Sequence, residues 1–258
     1  MRTFFLLSTP YAYFRKTRLT AARDVLFSAV YEWLPGLAIV VASVGGELAR
    51  GGLRFALGSV AFMSLYEIGY IANDLYAASR EAAPRWRAEG LTPSRAVVVA
   101  AVLARLCVYL GVAVLLGKAA DVRFHAFHAC MLGIFAAHNV LPRPEWRVPT
   151  FLGLAFCRFW GPTIATVTPE WLAALTPGVL LFYVFYRSLT YMESKGLLRI
   201  PGRSTHEFKL GFYSLLLPLA AALDLTRGGY ATLAMNAYLV GVWGVVTALS
   251  SVRRKRQP

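Results

Sequence analysis

The chain has 258 residues, of which 57% are hydrophobic and only 16% are charged, and its mean hydropathy is +0.53. A soluble domain usually has about 45–50% apolar and about 25% charged residues, so this composition argues against a soluble enzyme. The charged residues lie between long apolar runs, which is typical of a polytopic helical membrane protein. The net charge of +14 would suggest nucleic acid as the partner of a soluble protein. Here the basic residues flank apolar segments, which indicates membrane topology and contact with anionic lipid instead of nucleic acid.

Apolar segments of about the length that crosses a bilayer recur along the chain. Glycine and proline residues separate them, and no linker or shift of composition divides the chain. We therefore expect an all-α integral membrane protein, a bundle of about eight transmembrane helices in a single domain over residues 1–258. A basic N-terminal segment, 1–23, and a basic tail, 252–258, lie outside the spans. The predicted spans are residues 24–46, 53–75, 94–117, 122–141, 149–168, 170–191, 208–226 and 230–251.

Most of the 27 basic residues fall on one side of this arrangement. They lie in the N-terminal segment, in the loops after the second, fourth and sixth spans, and in the tail. The positive-inside rule then places both termini in the cytoplasm, with the protein in the inner membrane if the cell is bacterial. Two long polar loops, roughly 73–94 and 190–207, share the cytoplasmic face, and long loops of this kind often carry function.

The end of the second span is unusually polar. Glu67, Asp74 and Glu81 fall on one helical face together with Tyr70 and Ala77. Ionisable groups are costly in a membrane, so such a cluster indicates a functional site. Amide and carboxylate oxygens, as in Asn73 and Asp74, are ligands that suit Mg²⁺. The alternative is that these two residues cap a helix and that the arginines after them form a solvated loop.

The stretch from Asn73 to Glu81 reads N-D-L-Y-A-A-S-R-E. It resembles the first aspartate-rich motif of the UbiA-type prenyltransferase superfamily, N-D-x-x-D-x-x-x-D. The first aspartate is kept as Asp74, Ala77 stands in place of the second, and Glu81 replaces the third. Arg85 and Arg87 are similar to the basic residues that follow this motif in the family.

Two further features support the same resemblance. The segments 139–143 and 149–153 are similar to a family stretch of a proline, basic residues and a glycine-containing helix. The family also has cytoplasmic loops after its second and sixth helices, where this chain has its long loops. It usually has nine helices, one more than we predict here.

The second aspartate-rich motif of the family, D-x-x-x-D, is largely absent. Glu193 is the one carboxylate of this region, while Arg187, Tyr191 and Lys195 recur at four-residue spacing and would share a helical face. Such a basic and hydroxylated face could hold a phosphate without a second metal ion. The alternative is an interfacial belt of Tyr and Arg side chains.

The resemblance implies transfer of a polyprenyl group from a prenyl diphosphate to an acceptor, assisted by Mg²⁺. Because most of the second motif is absent, the choice between one ion and the full cluster of the family stays open. The implied catalytic residues are Asn73, Asp74 and Glu81. The implied metal ligands are Asn73, Asp74, Glu81 and Glu193. The implied phosphate-binding residues are Arg85, Arg87, Arg143, Arg187, Tyr191 and Lys195. Alternatives are a transferase acting on a polyprenyl phosphate carrier, a terpene cyclase of the same type, and a non-catalytic lipid-binding or transport protein.

Arg105 and Arg158 lie inside predicted spans, where an arginine needs a partner or a wet cavity. We expect one of them to pair with Glu67, either as part of the site or as a structural ion pair. His125 and His128 have a spacing that could suit a metal, but no third ligand is evident, so a structural role is the better interpretation. The many aromatic residues would line a prenyl tunnel or form the usual membrane belt.

Overall fold

The computed structural model describes residues 1–77, 87 and 90–255. Within them the chain is helical and contains no strand, which confirms the all-α prediction. The predicted site residues Glu81 and Arg85 lie outside the described residues. The helices are α1 (Arg2–Ser8), α2 (Ala12–Arg18), α3 (Ala22–Ser43), α4 (Leu48–Ala77), α5 (Arg95–Leu115), α6 (Val122–Val140), α7 (Arg147–Trp160), α8 (Pro169–Ser194), α9 (His206–Arg227) and α10 (Ala231–Lys255).

Six of these helices are long and apolar enough to cross a membrane, namely α3, α4, α5, α8, α9 and α10. The chain is therefore a multi-pass membrane protein. The fourth and fifth predicted spans coincide with α6 and α7, which do not reach the same length and hydropathy. Helix α6 includes Arg123, three histidines and Asn139, and α7 has only 14 residues. A bundle of eight spans therefore stays a prediction.

Helix α7 ends earlier than the sequence predicts. The expected span reached residue 168, but the helix stops at Trp160 and the chain continues through turns over residues 161–166. Pro162 lacks a backbone N–H and clashes with a preceding helical carbonyl, so a helix cannot continue through it without a kink. The loop before residue 168 is therefore part of the packed structure and not the end of a straight span.

The chain forms two compact units, residues 1–167 and 168–258. In the first unit α4 packs against α3, α5 and α6. Its core includes Phe62, Tyr66 and Phe135. Gly69 of α4 lies directly against the Phe135 ring, where any added Cβ would overlap the ring. The glycine thus allows α4 and α6 to approach closely at the polar end of α4.

Helices α1 and α2 form an N-terminal hairpin joined by the turn Thr9–Tyr11. The sequence predicts only a basic segment here, but α1 packs on α5 and α2 packs on α4. Leu7 and Tyr13 are completely buried, whereas Arg15 and Lys16 are exposed. Tyr11 adopts a left-handed conformation with φ +68°, which is uncommon for a residue other than glycine. The hairpin is therefore part of the core of the first unit.

The second unit is built from α8, α9 and α10. Asp224 near the end of α9 accepts hydrogen bonds from the backbone N–H groups of Thr232 (3.2 Å) and Leu233 (2.7 Å), at the start of α10. These N–H groups have no partner within their own helix, so the carboxylate satisfies them. Tyr213 Oη donates to the Phe182 carbonyl at 3.1 Å and ties α9 to α8.

Candidate functional site

Asn73 and Asp74 lie in the last turn of α4, as the sequence predicts. This turn, Asn73–Ala77, is π-helical, so its hydrogen bonds span one residue more than in an α-helix. Such turns are rare in proteins overall, and those that do occur are often found at functional sites. Asp74 is buried, with 2% of its surface exposed. The turn therefore holds a carboxylate inside the protein at the end of a membrane-spanning helix.

Asp74 is bound mainly by the N-terminal hairpin. Arg18 donates to both carboxylate oxygens, from Nη1 to Oδ2 and from Nη2 to Oδ1, each at 2.9 Å. Tyr13 Oη donates to Oδ2 at 3.0 Å, and Asn73 Nδ2 donates to Oδ1 at 3.1 Å. A bidentate pair between arginine and carboxylate is among the strongest hydrogen-bonded arrangements in proteins. Neither Arg18 nor Tyr13 was predicted to contribute to the site.

Burial and the neighbouring charge affect the groups of this hairpin. Burial raises the pKa of Tyr13, as does the nearby Asp74 carboxylate, and burial raises the pKa of Tyr11 to about 12. Burial, the largest influence, lowers the pKa of Arg18, but the hydrogen bonds to Asp74 together with the charge interactions with Tyr70, Asp74 and Tyr13 outweigh it, so the pKa is raised. Tyr13 therefore stays protonated and donates to Asp74, and Arg18 stays charged.

Glu67 lies seven residues before Asp74 and pairs with Arg105 of α5, with Arg105 Nη1 2.7 Å from Glu67 Oε2. This confirms the predicted pairing for Arg105. The same carboxylate accepts hydrogen bonds from the backbone N–H groups of Tyr11 (3.0 Å) and Phe14 at the start of α2. It is completely buried. Glu67 thus satisfies N–H groups that have no partner within their own helix.

Arg105 binds backbone carbonyl groups on the α1 side of the turn that joins α1 and α2. Its guanidinium donates to the carbonyl oxygens of Leu7, Thr9 (3.0 Å) and Met63 (3.2 Å). The first two carbonyls lie at the end of α1, where helical carbonyl groups lack partners. One buried ion pair therefore fastens both helices of the N-terminal hairpin to α4 and α5.

Arg158 of α7 does not pair with Glu67. Its Nε lies 2.8 Å from Oε1 of Glu32, a residue of α3 that sequence reasoning left unassigned. Its Nη1 donates to Tyr70 Oη at 2.9 Å, and its guanidinium lies over the Phe14 ring, 4.7 Å from the centroid. The described part of the first unit thus holds three buried carboxylates, and each of them is matched with an arginine.

Asn139 at the end of α6 lies beside the same turn. Its Nδ2 donates at 3.3 Å to the Gly69 carbonyl, which also accepts from the backbone N–H of Asn73. Its Oδ1 is buried and has no hydrogen-bond partner among the described residues. The sequence linked residues 139–143 to the same family as Asn73 and Asp74, and the fold brings Asn139 and Asn73 together.

Asn73, Asp74 and Asn139 place amide and carboxylate groups around this turn. Amide and carboxylate oxygens are ligands that suit Mg²⁺. The buried Asn139 Oδ1 has no hydrogen-bond partner among the described residues, whereas both Asp74 oxygens are bound by Arg18. In the described part of the chain, no three His, Cys, Asp or Glu side chains gather into a metal site. A bound ion would therefore depend on Asp74, Asn73 and Asn139, and the guanidinium of Arg18 is the cation that now sits against Asp74.

In the second unit, Glu193 forms an ion pair with Arg203, which also donates to Thr190 Oγ1 at 3.0 Å. Arg203 was not predicted to take part. Tyr191 is buried, whereas Arg187 and Lys195 are half-buried. Helix α8 extends to Ser194, three residues beyond the predicted span, so Arg187 and Tyr191 share a helix and Lys195 follows its end.

The remaining predicted residues lie on the surface or in other roles. Arg143 and Arg87 are exposed, and the Arg143 guanidinium lies 5.2 Å from the Trp146 ring centroid. His125 Nδ1 is 2.8 Å from Tyr109 Oη, and His128 Nδ1 is 2.8 Å from the Phe124 carbonyl. Both histidines thus have protein partners, in the half of α6 that is far from Asn139.

Fold and site together define a multi-pass all-α membrane protein with a buried, charge-paired polar site at the end of α4. Comparisons with protein-family models, with curated proteins and with solved structures found no match for this chain. A UbiA-like fold and membership of that superfamily therefore stay predictions.

Proposed function

We propose that the chain is a membrane-embedded prenyltransferase that transfers a polyprenyl group from a prenyl diphosphate to an acceptor. One observation carries this proposal. Asn73 and the buried Asp74 occupy a π-helical turn at the end of a spanning helix, and Asn139 lies against it. Both segments were linked to prenyltransferases from their residues alone. On the orientation that the basic residues predict, the site and both termini are cytoplasmic.

Mg²⁺ is the proposed cofactor, held by the oxygens of Asp74, Asn73 and Asn139. When bound, the ion would neutralise the negative charge that develops on the departing diphosphate. Glu81 and Glu193 remain secondary candidates for metal ligands. The proposed phosphate-binding side chains are Arg85, Arg87, Arg143, Arg187, Tyr191 and Lys195.

An aromatic cluster beside Asp74 suits the other half of the reaction. The rings of Tyr66, Tyr70 and Phe135 contact one another with centroids 4.8 to 5.7 Å apart, and Phe14 stacks on Tyr70 at 6.3 Å. The Arg18 guanidinium lies 4.3 Å from the Tyr70 centroid, so the Tyr70 ring already accepts a cation. An allylic group that gains positive charge as the diphosphate leaves would be stabilised in the same way.

The test is release of diphosphate by the purified protein with a panel of prenyl diphosphates, with polyprenyl phosphates as a second panel, and MgCl₂. We expect turnover that needs the metal and that Asp74→Asn lowers by about 100-fold or more, as for loss of a group that stabilises transition-state charge. The matched control is Glu47→Gln, which changes an exposed carboxylate at the start of α4. Absence of release with every donor, and of any donor-dependent heat stabilisation, would refute the proposal.

A second candidate is a lipid-binding or transport protein without catalysis. The observation that favours it is that each of the three buried carboxylates described in the first unit is matched with an arginine. Such closed pairs are also what a purely structural polar core contains. This candidate predicts that the protein binds prenyl lipids with equal affinity in the wild type and Asp74→Asn, and that no diphosphate is released.

A further inference from the structure

Arg18 is one of the two residues on Asp74 that the sequence did not reveal, and its chemistry is that of an anion-binding group. Its guanidinium presents two parallel N–H donors to Asp74, at 2.9 Å each. The same planar fork matches the oxygens of a phosphate as well as those of a carboxylate. The Arg18 side chain is 11% exposed, whereas that of Asp74 is 1% exposed. Arg18 is thus the more exposed of the two partners.

The two ends of α2 are held in different ways. Its first turn is fixed because the backbone N–H groups of Tyr11 and Phe14 donate hydrogen bonds to the buried Glu67 carboxylate. Its last turn is held to α4 through the side chain of Arg18, after which the chain passes through residues 19–21 to α3. The Arg18 side chain can turn to another partner while the helix stays formed, whereas the N–H donors of the first turn are fixed in position by the backbone.

We propose that Arg18 binds the diphosphate of the ligand and that Asp74 holds it in place until the ligand arrives. This inference rests on the proposed function and names a further ligand-binding residue of the same site. A magnesium diphosphate carries both charges that the exchange needs. Its phosphate oxygens accept the donors of Arg18, and its cation takes the carboxylate of Asp74. Every buried charge keeps an opposite partner throughout, so the exchange avoids a bare charge in the interior.

The exchange has a structural consequence that can be measured without activity. Release of Arg18 from Asp74 frees the last turn of α2, where Thr17 is buried, but leaves α1, where Ser8 is buried to a similar degree. Thr17→Cys and Ser8→Cys are therefore matched reporters for labelling by a maleimide. They are placed in a chain with Cys107→Ser and Cys130→Ser, since these two cysteines are exposed and Cys157 is buried.

We expect MgCl₂ with inorganic diphosphate to increase the labelling rate of Thr17→Cys by about tenfold, the size of effect that loss of a hydrogen bond to a charged group gives. The rate for Ser8→Cys stays unchanged. Arg18→Gln raises the rate at Thr17→Cys without ligand and abolishes the response to ligand. Arg18→Lys keeps the charge but loses the two parallel N–H donors. Its response to ligand should therefore lie between those of the wild type and Arg18→Gln. The inference is overturned if Arg18→Gln leaves the labelling rate at Thr17→Cys unchanged.

Diphosphate binding, measured by isothermal titration in the presence of MgCl₂, separates this inference from the proposed function. Arg18→Gln should weaken binding by about tenfold or more. The double variant Asp74→Asn/Arg18→Gln removes both charges and serves as the folding control. If diphosphate binds equally to the wild type and Arg18→Gln, the role of Arg18 is wrong while the prenyltransferase proposal stands. If it binds to neither, both are wrong.

Discussion

Glu67 and Asp74 are two buried carboxylates on one helix, two turns apart, and each is paired with an arginine. They differ in what else holds them. Glu67 accepts from two backbone N–H groups, and the side chains of its ion pair are completely buried. The observed hydrogen bonds to the Asp74 carboxylate all come from side chains, and its arginine partner is partly exposed. Backbone donors are fixed by the fold, while side-chain donors can turn away. The comparison predicts a structural role for Glu67 and identifies Asp74 as the carboxylate that can exchange its partner.

The largest effect is expected at Glu67. Glu67→Gln leaves Arg105 charged and completely buried, so the free energy of unfolding should fall by about 3–5 kcal/mol. The measurement is denaturant unfolding in mild detergent. The double variant Glu67→Met/Arg105→Met removes both charges and should recover much of the loss. A loss no larger than that of Asp74→Asn would contradict the distinction drawn between the two carboxylates.

A slightly smaller effect is expected at Arg158. Arg158→Met strands Glu32 in the interior and removes a donor from Tyr70 Oη, so we expect a loss of about 3 kcal/mol. The same unfolding assay measures it, with Glu32→Gln/Arg158→Met as the paired control. If folding and prenyl diphosphate binding both stay intact in Arg158→Met, this buried pair matters to neither stability nor function.

Asp74→Asn should destabilise the protein less, by about 1–3 kcal/mol, the cost of weakening hydrogen bonds to a charged group. Arg18 is partly exposed and can turn to solvent, which limits the cost. Turnover with a prenyl diphosphate should nevertheless be lost. Unfolding and diphosphate release measured on one preparation show whether this variant loses function while it keeps its fold, as Glu67→Gln does not.

Tyr13→Phe tests the contribution of one donor to the Asp74 cluster. The hydroxyl group is completely buried and donates to Oδ2, and Asp74 keeps three other hydrogen bonds. We expect a loss of about 1.5 kcal/mol, measured from the shift of the unfolding midpoint. Tyr31→Phe is a matched change at another buried tyrosine of the first unit. A larger loss in Tyr13→Phe than in Asp74→Asn would show that the hydroxyl group has a second role.

The smallest effect is expected at Glu193 in the second unit. Its side chain is 30% exposed, so the ion pair with Arg203 is partly solvated, and Glu193→Gln should cost less than about 1 kcal/mol. Thermal unfolding of this variant at low and high salt is the measurement. A large and salt-independent loss would show that this pair resembles the one at Glu67.

Local pattern was enough to predict the six helices that are long and apolar enough to cross a membrane, and the position of Asn73 and Asp74 at the end of one of them. Long apolar runs determine helices, and an N-D pair at the end of one of them is visible in the letters alone. The pairing of Glu67 with Arg105 was also predictable, since a buried arginine requires a partner. The predicted end of the span at α7 was too late, because Pro162 interrupts an apolar run that is otherwise long enough to cross a membrane.

The composition and spacing of this chain determined that it is a helical membrane protein with charge at the end of its second span. Only the tertiary structure decided which residues pair with that charge. Arg18 lies 56 residues before Asp74, in a segment whose apolar runs are too short to mark a span. Its position depends on the N-terminal hairpin folding back onto α4, and that depends on Glu67 and Arg105 satisfying the ends of α1 and α2. Such a contact has no local signature, because it arises from the packing of α1, α2, α4 and α5 and not from any one of them.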